Sequence, residues 1–203
     1  MNAKVDFKKT LKQLYNPKQS NFHLVEVPPL NFLMIDGKGD PNQSKDYQNA
    51  IDALYTLSYG LKFALKTQGY DHIVPPLEGL WWMEKMEEFN LTNKEQWEWT
   101  MMIMQPDWIN EEWVEKVRKN AMMKKDNPLI AQVRFESYTE GLSVQFLYTG
   151  AYENEAPRIA EMHKYILTNE YQMNGKHHEI YLGDPRKTSP ERLKTILRQP
   201  IKN

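Results

Sequence analysis

Apolar positions along this chain switch between two spacings, and the switches mark the elements. In 44–69, Tyr47, Ile51, Leu54, Tyr55, Ser58 and Leu61 recur at intervals of three and four, which places them on one helix face. Ser44 stands where an N-cap belongs and Gly69 where a left-handed residue closes a helix, so a long helix is predicted. In 96–104 the pattern becomes alternation. Trp97, Trp99, Met101 and Ile103 fall on one side, which predicts a strand ending before Pro106. Asn110-Glu111-Glu112 opens a second helix running to about residue 125. Upstream, 24–36 reads as a strand with a bend or an edge position at Pro28-Pro29, and 73–83 as a strand broken by Pro75-Pro76.

The second half has the same character. Strands are predicted over 132–138 and 142–148, around a Glu140-Gly141 turn. Glu155-Ala156-Pro157 opens a helix with Ile159, Met162, Tyr165 and Ile166 on its apolar side and Asn174-Gly175 at its end. A strand over 178–182, a helical turn at Ser189-Pro190-Glu191 and a closing strand over 193–197 complete the chain. Residues 1–20 are Lys-rich, with a weak helical spacing at Phe7, Leu11 and Leu14 before Pro17, and read as a peripheral arm. The expected fold class is α+β, an antiparallel sheet with helices on one side.

One series occurs twice. A turn (Asp36-Gly37-Lys38-Gly39-Asp40, then Thr149-Gly150-Ala151-Tyr152-Glu153) precedes a helix. Next comes a Glu-aromatic strand, Glu78-Gly79-Leu80-Trp81-Trp82 or Glu179-Ile180-Tyr181-Leu182, and then a strand ending in Gln-Pro, at Gln105-Pro106 or Gln199-Pro200. Such recurrence indicates internal duplication. The predicted organisation is one domain over 1–203: an arm (1–23) and two strand-helix-strand-strand modules (24–127 and 128–203). A pseudo-two-fold between the modules would bring Glu78 and Glu179 to equivalent places facing one ligand cleft.

Composition narrows the function classes. With 40% hydrophobic and 26% charged residues and a formal net charge of -1, the chain is globular, and no global field draws it to nucleic acid or an acidic membrane. It has no cysteine, which excludes disulfides and thiolate chemistry and fits a reducing cytoplasm. Residues 1–9 lack the apolar core of a signal peptide, and no apolar run is long enough to span a bilayer.

Glu179 is the first candidate for chemistry, because a carboxylate in mid-strand is disfavoured by propensity. Alternation puts it on one face with Tyr181; the bland alternative is a solvent-facing strand residue. Glu78 is its predicted counterpart, and Tyr55, which shares a helix face with Tyr59, can direct a hydroxyl into the cleft. Trp81, Trp82, Trp99, Tyr148 and Tyr181 are the candidate ligand-binding aromatics. All six Trp fall between 81 and 113, where they form either a core seam or a cleft lining. Glu98, opposite in alternation to Trp97 and Trp99, reads as a surface residue. His177 and His178 point to opposite faces and cannot jointly chelate one ion, so no metal site is expected. Neither a phosphate-binding glycine loop nor a Ser/His/Asp arrangement is evident, and no cofactor is expected.

The segment His177-His178-Glu179-Ile180-Tyr181-Leu182-Gly183-Asp184-Pro185-Arg186, with Pro190-Glu191-Arg192-Leu193-Lys194-Thr195 and Arg198-Gln199-Pro200, resembles the C-terminal signature of GyrI-like small-molecule-binding proteins. Pro75-Pro76-Leu77-Glu78-Gly79-Leu80-Trp81-Trp82 and Trp97-Glu98-Trp99 are similar to a stand-alone branch, the cyclopropanoid cyclopropyl hydrolases. The resemblance runs from about residue 28 to the end. It implies two modules about a pseudo-two-fold, a cleft between them, and a central glutamate that Glu179 matches. The partner implied is a planar aromatic small molecule, cationic or electrophilic. In the hydrolase branch, glutamate and aromatic residues orient water against a strained ring of a DNA alkylator; a non-catalytic drug-binding or gyrase-protecting module would use the same cleft. Residues 1–20 are too short for the helix-turn-helix of the family's regulators. Oligomeric state stays open.

Overall fold

Nine strands and five α-helices make up the described residues, 4–17, 21–83 and 94–203, of this computed structural model. The strands are β1 (His23–Val27), β2 (Leu30–Lys38), β3 (Leu77–Trp82), β4 (Glu98–Gln105), β5 (Arg134–Tyr138), β6 (Gly141–Thr149), β7 (Gln172–Met173), β8 (His177–Tyr181) and β9 (Lys194–Lys202). The helices are α1 (Phe7–Thr10), α2 (Lys12–Tyr15), α3 (Lys45–Lys66), α4 (Glu111–Met122) and α5 (Ala156–Thr168). The strands pair antiparallel in the order β1-β6-β9-β8-β3-β4-β2-β5, with β7 beside β9. The inner six read the same from either end when taken by halves: β6-β9-β8 meets β3-β4-β2.

Local chemistry explains the main elements. The Ser44 hydroxyl accepts from the Tyr47 N–H and starts α3; Gly69, at φ 92°, ends that turn in a conformation costly for side-chain-bearing residues. The Asn110 side chain caps α4 in the same way, through the Trp113 N–H. One face of α3 carries Leu54, Leu57 and Leu61, all fully buried, each contributing about 1.5–3 kcal/mol relative to exposure.

Alternation gives the sheet two buried faces. One carries Leu33, Ile35, Trp99, Met101 and Ile103 beneath α3 and α4, and Val144, Phe146 and Leu197 beneath α5. The opposite face carries Phe32, Met34, Met102, Met104, Ile180 and Ile196, covered by Leu14 and Tyr15 of the arm. The three long helices therefore lie on one side, as expected, and the arm with its two short helices closes the other.

Four local expectations are corrected. The 24–36 segment is two strands: β1 pairs with β6, whereas β2 pairs with β4 and β5, so Pro28-Pro29 marks a change of neighbours and not a bend. Glu140-Gly141 makes no hairpin, because β5 crosses to β2 of the first half while β6 pairs with β1 and with β9 of its own half. Helix α5 ends at Thr168, and β7 intervenes before Gly175. Strand β9 continues past Gln199-Pro200 to Lys202. Pro200 is tolerated because it sits where the neighbour of β9 changes from β8 to β7, so its missing N–H leaves no ladder partner unmet on that side.

Candidate functional site

The halves of the sheet meet at β3 and β8, where Gly79 lies opposite Glu179, Leu77 opposite Tyr181 and Trp81 opposite His177. Directly paired residues share a face, and this is the face that bears the long helices. Helix α3 packs on β2 and β4 and α5 on β6 and β7, which leaves the β3–β8 seam between them. The apolar clusters under these helices are separate. Between them stand Glu179, His177 and Thr195, with Glu155 reaching in from the start of α5.

A directed hydrogen-bond chain fixes the carboxylate. Trp81 Nε1 donates to Tyr181 Oη at 3.1 Å, and Tyr181 Oη donates to Glu179 Oε2 at 2.7 Å. His177 Nε2 lies 3.6 Å from Glu179 Oε1. Aromatic rings enclose the group: Tyr152 meets Tyr181 edge-on at 5.6 Å, and Tyr47 contacts Trp81 at 6.1 Å and Trp99 at 5.2 Å. Burial, then the Glu179 charge, hold the Tyr181 and Tyr47 hydroxyls well above the ordinary phenol range. Burial and the charges of Glu155 and Glu179 push Tyr152 up to about 12. The result is a carboxylate among neutral hydroxyl donors and aromatic faces, which can orient water, accept a proton or meet a cation. The seam is filled by these rings; a surface hollow of about 340 Å³ lies elsewhere, beside Lys12, Asn16 and His23 at the arm.

Glu179, Trp81 and Tyr181 thus come together on one face of the seam. Tyr55 stands at the rim on α3, stacked on Tyr59 at 6.1 Å and close enough to Tyr152, Asp184 and Arg186 to feel their charges. Tyr148 is on the same face, but its hydroxyl donates to the Ala151 carbonyl at 3.1 Å. Trp99 is 1% exposed beneath Tyr47 and belongs to the core, where Gly37 makes room for its ring. Glu98 is a surface residue near Lys38, as read.

Glu78 and Trp82 are corrections. With Gly79 opposite Glu179, parity sends Glu78, Leu80 and Trp82 to the opposite face, and Glu78 faces Ile180 in register. Trp82 there lies under the Lys176 ammonium, 3.1 Å from the ring centroid. Glu78, fully buried, joins a charged network that sequence reasoning missed. Tyr15 Oη donates to Glu78 Oε1 at 2.8 Å, and His178 bridges Glu78 Oε2 (3.0 Å) and Glu140 Oε1 (2.9 Å). Arg198 donates to Glu140 Oε2 at 2.8 Å, to Gln145 Oε1 at 2.9 Å and to the Leu14 carbonyl at 2.9 Å. Burial works against the charged imidazole, but Glu140 and Glu78 outweigh it and push His178 up to about 9. Burial likewise opposes the Glu140 charge, and His178 and Arg198 overcome it, holding that carboxyl down at about 2. This network ties the arm to β3, β8 and β9 on the face opposite Glu179.

Tyr47, Tyr152, Glu155 and His177 are the seam residues that sequence reasoning did not select. Tyr47, eight positions before Tyr55 on the same helical repeat, was the most accessible signal. Glu155 read only as a helix opener.

The fold and this seam define a small-molecule-binding α+β domain. The GyrI-like small molecule binding domain matches residues 20–202, and the chain belongs to that family. Among solved structures, an uncharacterized conserved protein from Listeria innocua is 41% identical, with a TM-score of 0.91 over 98% of this chain and 100% of that one. Two structures described as hydrolases from the same organism are 38% and 39% identical, with TM-scores of 0.87 and 0.85, each over 98% of this chain and 100% of the other. No curated protein matches the chain. Among the described residues, no helix is long and apolar enough to cross a membrane.

Proposed function

We propose that this protein is a cytoplasmic hydrolase that opens the cyclopropane ring of cytotoxic DNA-alkylating compounds and so detoxifies them. The observation that carries the reading is the Glu179 carboxylate, oriented by Tyr181 and set among aromatic rings between two helices. Likeness to the two Listeria hydrolases supports catalysis over binding alone. A planar ligand enters as the Tyr47 and Tyr152 rings swing aside and then stack on it. Glu179 takes a proton from water as the water oxygen attacks the strained ring carbon. Ring strain lowers the barrier, so positioning and modest base assistance suffice. Charge that develops on the ligand carbonyl is met by the protonated hydroxyls nearby.

A second reading, a binding module without chemistry, is favoured by the same carboxylate and aromatic faces, which suit a planar cation equally well. Incubation with a cyclopropane-bearing alkylator, followed by mass spectrometry, separates them. Ring-opened alcohol formed faster than in buffer supports the hydrolase; bound but intact compound supports the binding module.

A further inference from the structure

We infer that Glu155 is a second working carboxyl of this cleft, one that donates a proton to the oxygen of the bound ligand while Glu179 accepts one from water. Its catalytic role rests on the proposed hydrolysis; its donor character does not.

Glu155 occupies the N-cap position of α5 but forms no cap hydrogen bond. Its side chain turns inward instead. The residue is 3% exposed; Oε1 and the neighbouring Thr195 Oγ1 each lack a hydrogen-bond partner, although the Thr195 hydroxyl is near enough to oppose part of the effect of burial on the carboxyl. An unpartnered buried carboxylate is costly, whereas a neutral carboxylic acid is far less so and offers an O–H. The groups that face it are Glu179 and Tyr181 on β8, Thr195 on β9, Tyr148 on β6 and Tyr152 in the preceding turn. His177 on β8 also stands in the seam, 3.6 Å from Glu179, and no lysine or arginine is among these groups. Burial first, and the Glu179 charge second, push Glu155 up to about 9. A carboxyl whose surroundings favour its neutral form, set beside a second carboxyl in one site, gives an acid–base pair.

The pair balances the ring opening. A carbon–oxygen bond forms between water and the ring carbon, and one ring carbon–carbon bond breaks, its electron pair passing into the conjugated carbonyl. The water proton goes to Glu179, and Glu155 supplies the proton that the carbonyl oxygen takes up. Proton return from Glu179 to Glu155 through water restores the pair.

The test begins with 13C NMR of the full chain labelled at glutamate side-chain carboxyls. One resonance is expected to titrate near pH 9, to vanish in Glu155→Gln and to move to lower pH in Glu179→Gln. If Glu155→Gln fails to fold, Glu155→Asp serves for the assignment. A Glu155 midpoint in the ordinary carboxylate range overturns the inference. In turnover, Glu155→Gln should slow ring opening by about 100-fold, keep ligand binding and lose the alkaline limb of the rate profile. Parent-like turnover in that variant overturns the acid role even if the parent is active. A parent that opens no ring while Glu155 titrates near 9 contradicts the hydrolase reading alone and leaves Glu155 supported as a neutral donor in a binding cleft.

Discussion

Gly79 stands directly across from Glu179 in the β3–β8 pairing, so no side chain projects beside the carboxylate from the neighbouring strand. The space is taken by the Trp81 indole. A Cβ on Gly79 would fall 2.8 Å from Trp81 Nε1 and 3.2 Å from Met101 Sδ. The glycine thereby lets Trp81 reach Tyr181, and Tyr181 reach Glu179.

Gly79→Ala should therefore displace the indole. The core beneath it is closely packed, and the expected loss of stability is about 1–3 kcal/mol. Urea unfolding measures the loss, and the tryptophan emission of the folded variant should shift. A variant as stable as the parent, with parent emission and binding, would show that the indole does not depend on this gap.

Trp81 is 3% exposed and packed in the helix-side core, so its part in the fold and its proposed part in ligand binding are tested together. Trp81→Ala is expected to cost about 3–5 kcal/mol in folding. In the folded fraction, binding of a planar aromatic compound should weaken by about 1–3 kcal/mol. Trp81→Phe keeps a ring but removes the donor to Tyr181, and should retain most binding. Calorimetry on both variants tests this division; equal affinity in parent and Trp81→Ala would confine Trp81 to the core.

Much of this was legible in the sequence because periodicity reports which side of an element is buried. The α3 repeat, the β4 alternation and the Glu179–Tyr181 face all follow from spacing within one segment. Register between segments does not. Nothing within residues 78–82 or 177–182 states that Gly79, and not Glu78, will oppose Glu179, and that one-residue difference moves Glu78 and Trp82 to the other face. The buried network was hidden for the same reason. Tyr15, Glu78, Glu140, His178 and Arg198 are distant in sequence, and no local spacing brings them together. The exchange of β1 and β5 between halves is likewise a long-range choice, and local turn chemistry at Glu140-Gly141 points to a hairpin instead.

Stability should peak near pH 6.5. Glu140, held at about 2 against an ordinary 4.5, contributes stability that is lost as pH falls through 2. His72 and His163, which burial lowers from 6.5 to about 4, are stabilising above 6.5 and lose that contribution as pH falls through 4. His178, raised from 6.5 to about 9, contributes fully below 6.5 and loses its contribution as pH rises through 9. Glu155, raised from 4.5 to about 9, contributes fully below 4.5 and loses its contribution as pH rises from there through 9; His72 and His163 outweigh it below 6.5, and it adds to the decline above. His178→Gln should lower stability throughout and flatten the slope between pH 6.5 and 9. Urea midpoints across pH 3–10 give both curves, and a parent whose stability rises from 6.5 to 9 would contradict these assignments.

The central claim is that Glu179 activates water in the seam between the two halves. Glu179→Gln keeps the shape of the side chain and removes the base. The decisive measurement is the rate at which parent and Glu179→Gln convert a cyclopropane-bearing alkylator to its ring-opened alcohol, followed by mass spectrometry, with binding measured on the same samples. The account predicts accelerated conversion by the parent, a fall of about 100-fold or more in the variant, and binding retained. Conversion by Glu179→Gln at the parent rate, in a folded protein that binds the compound, would contradict it.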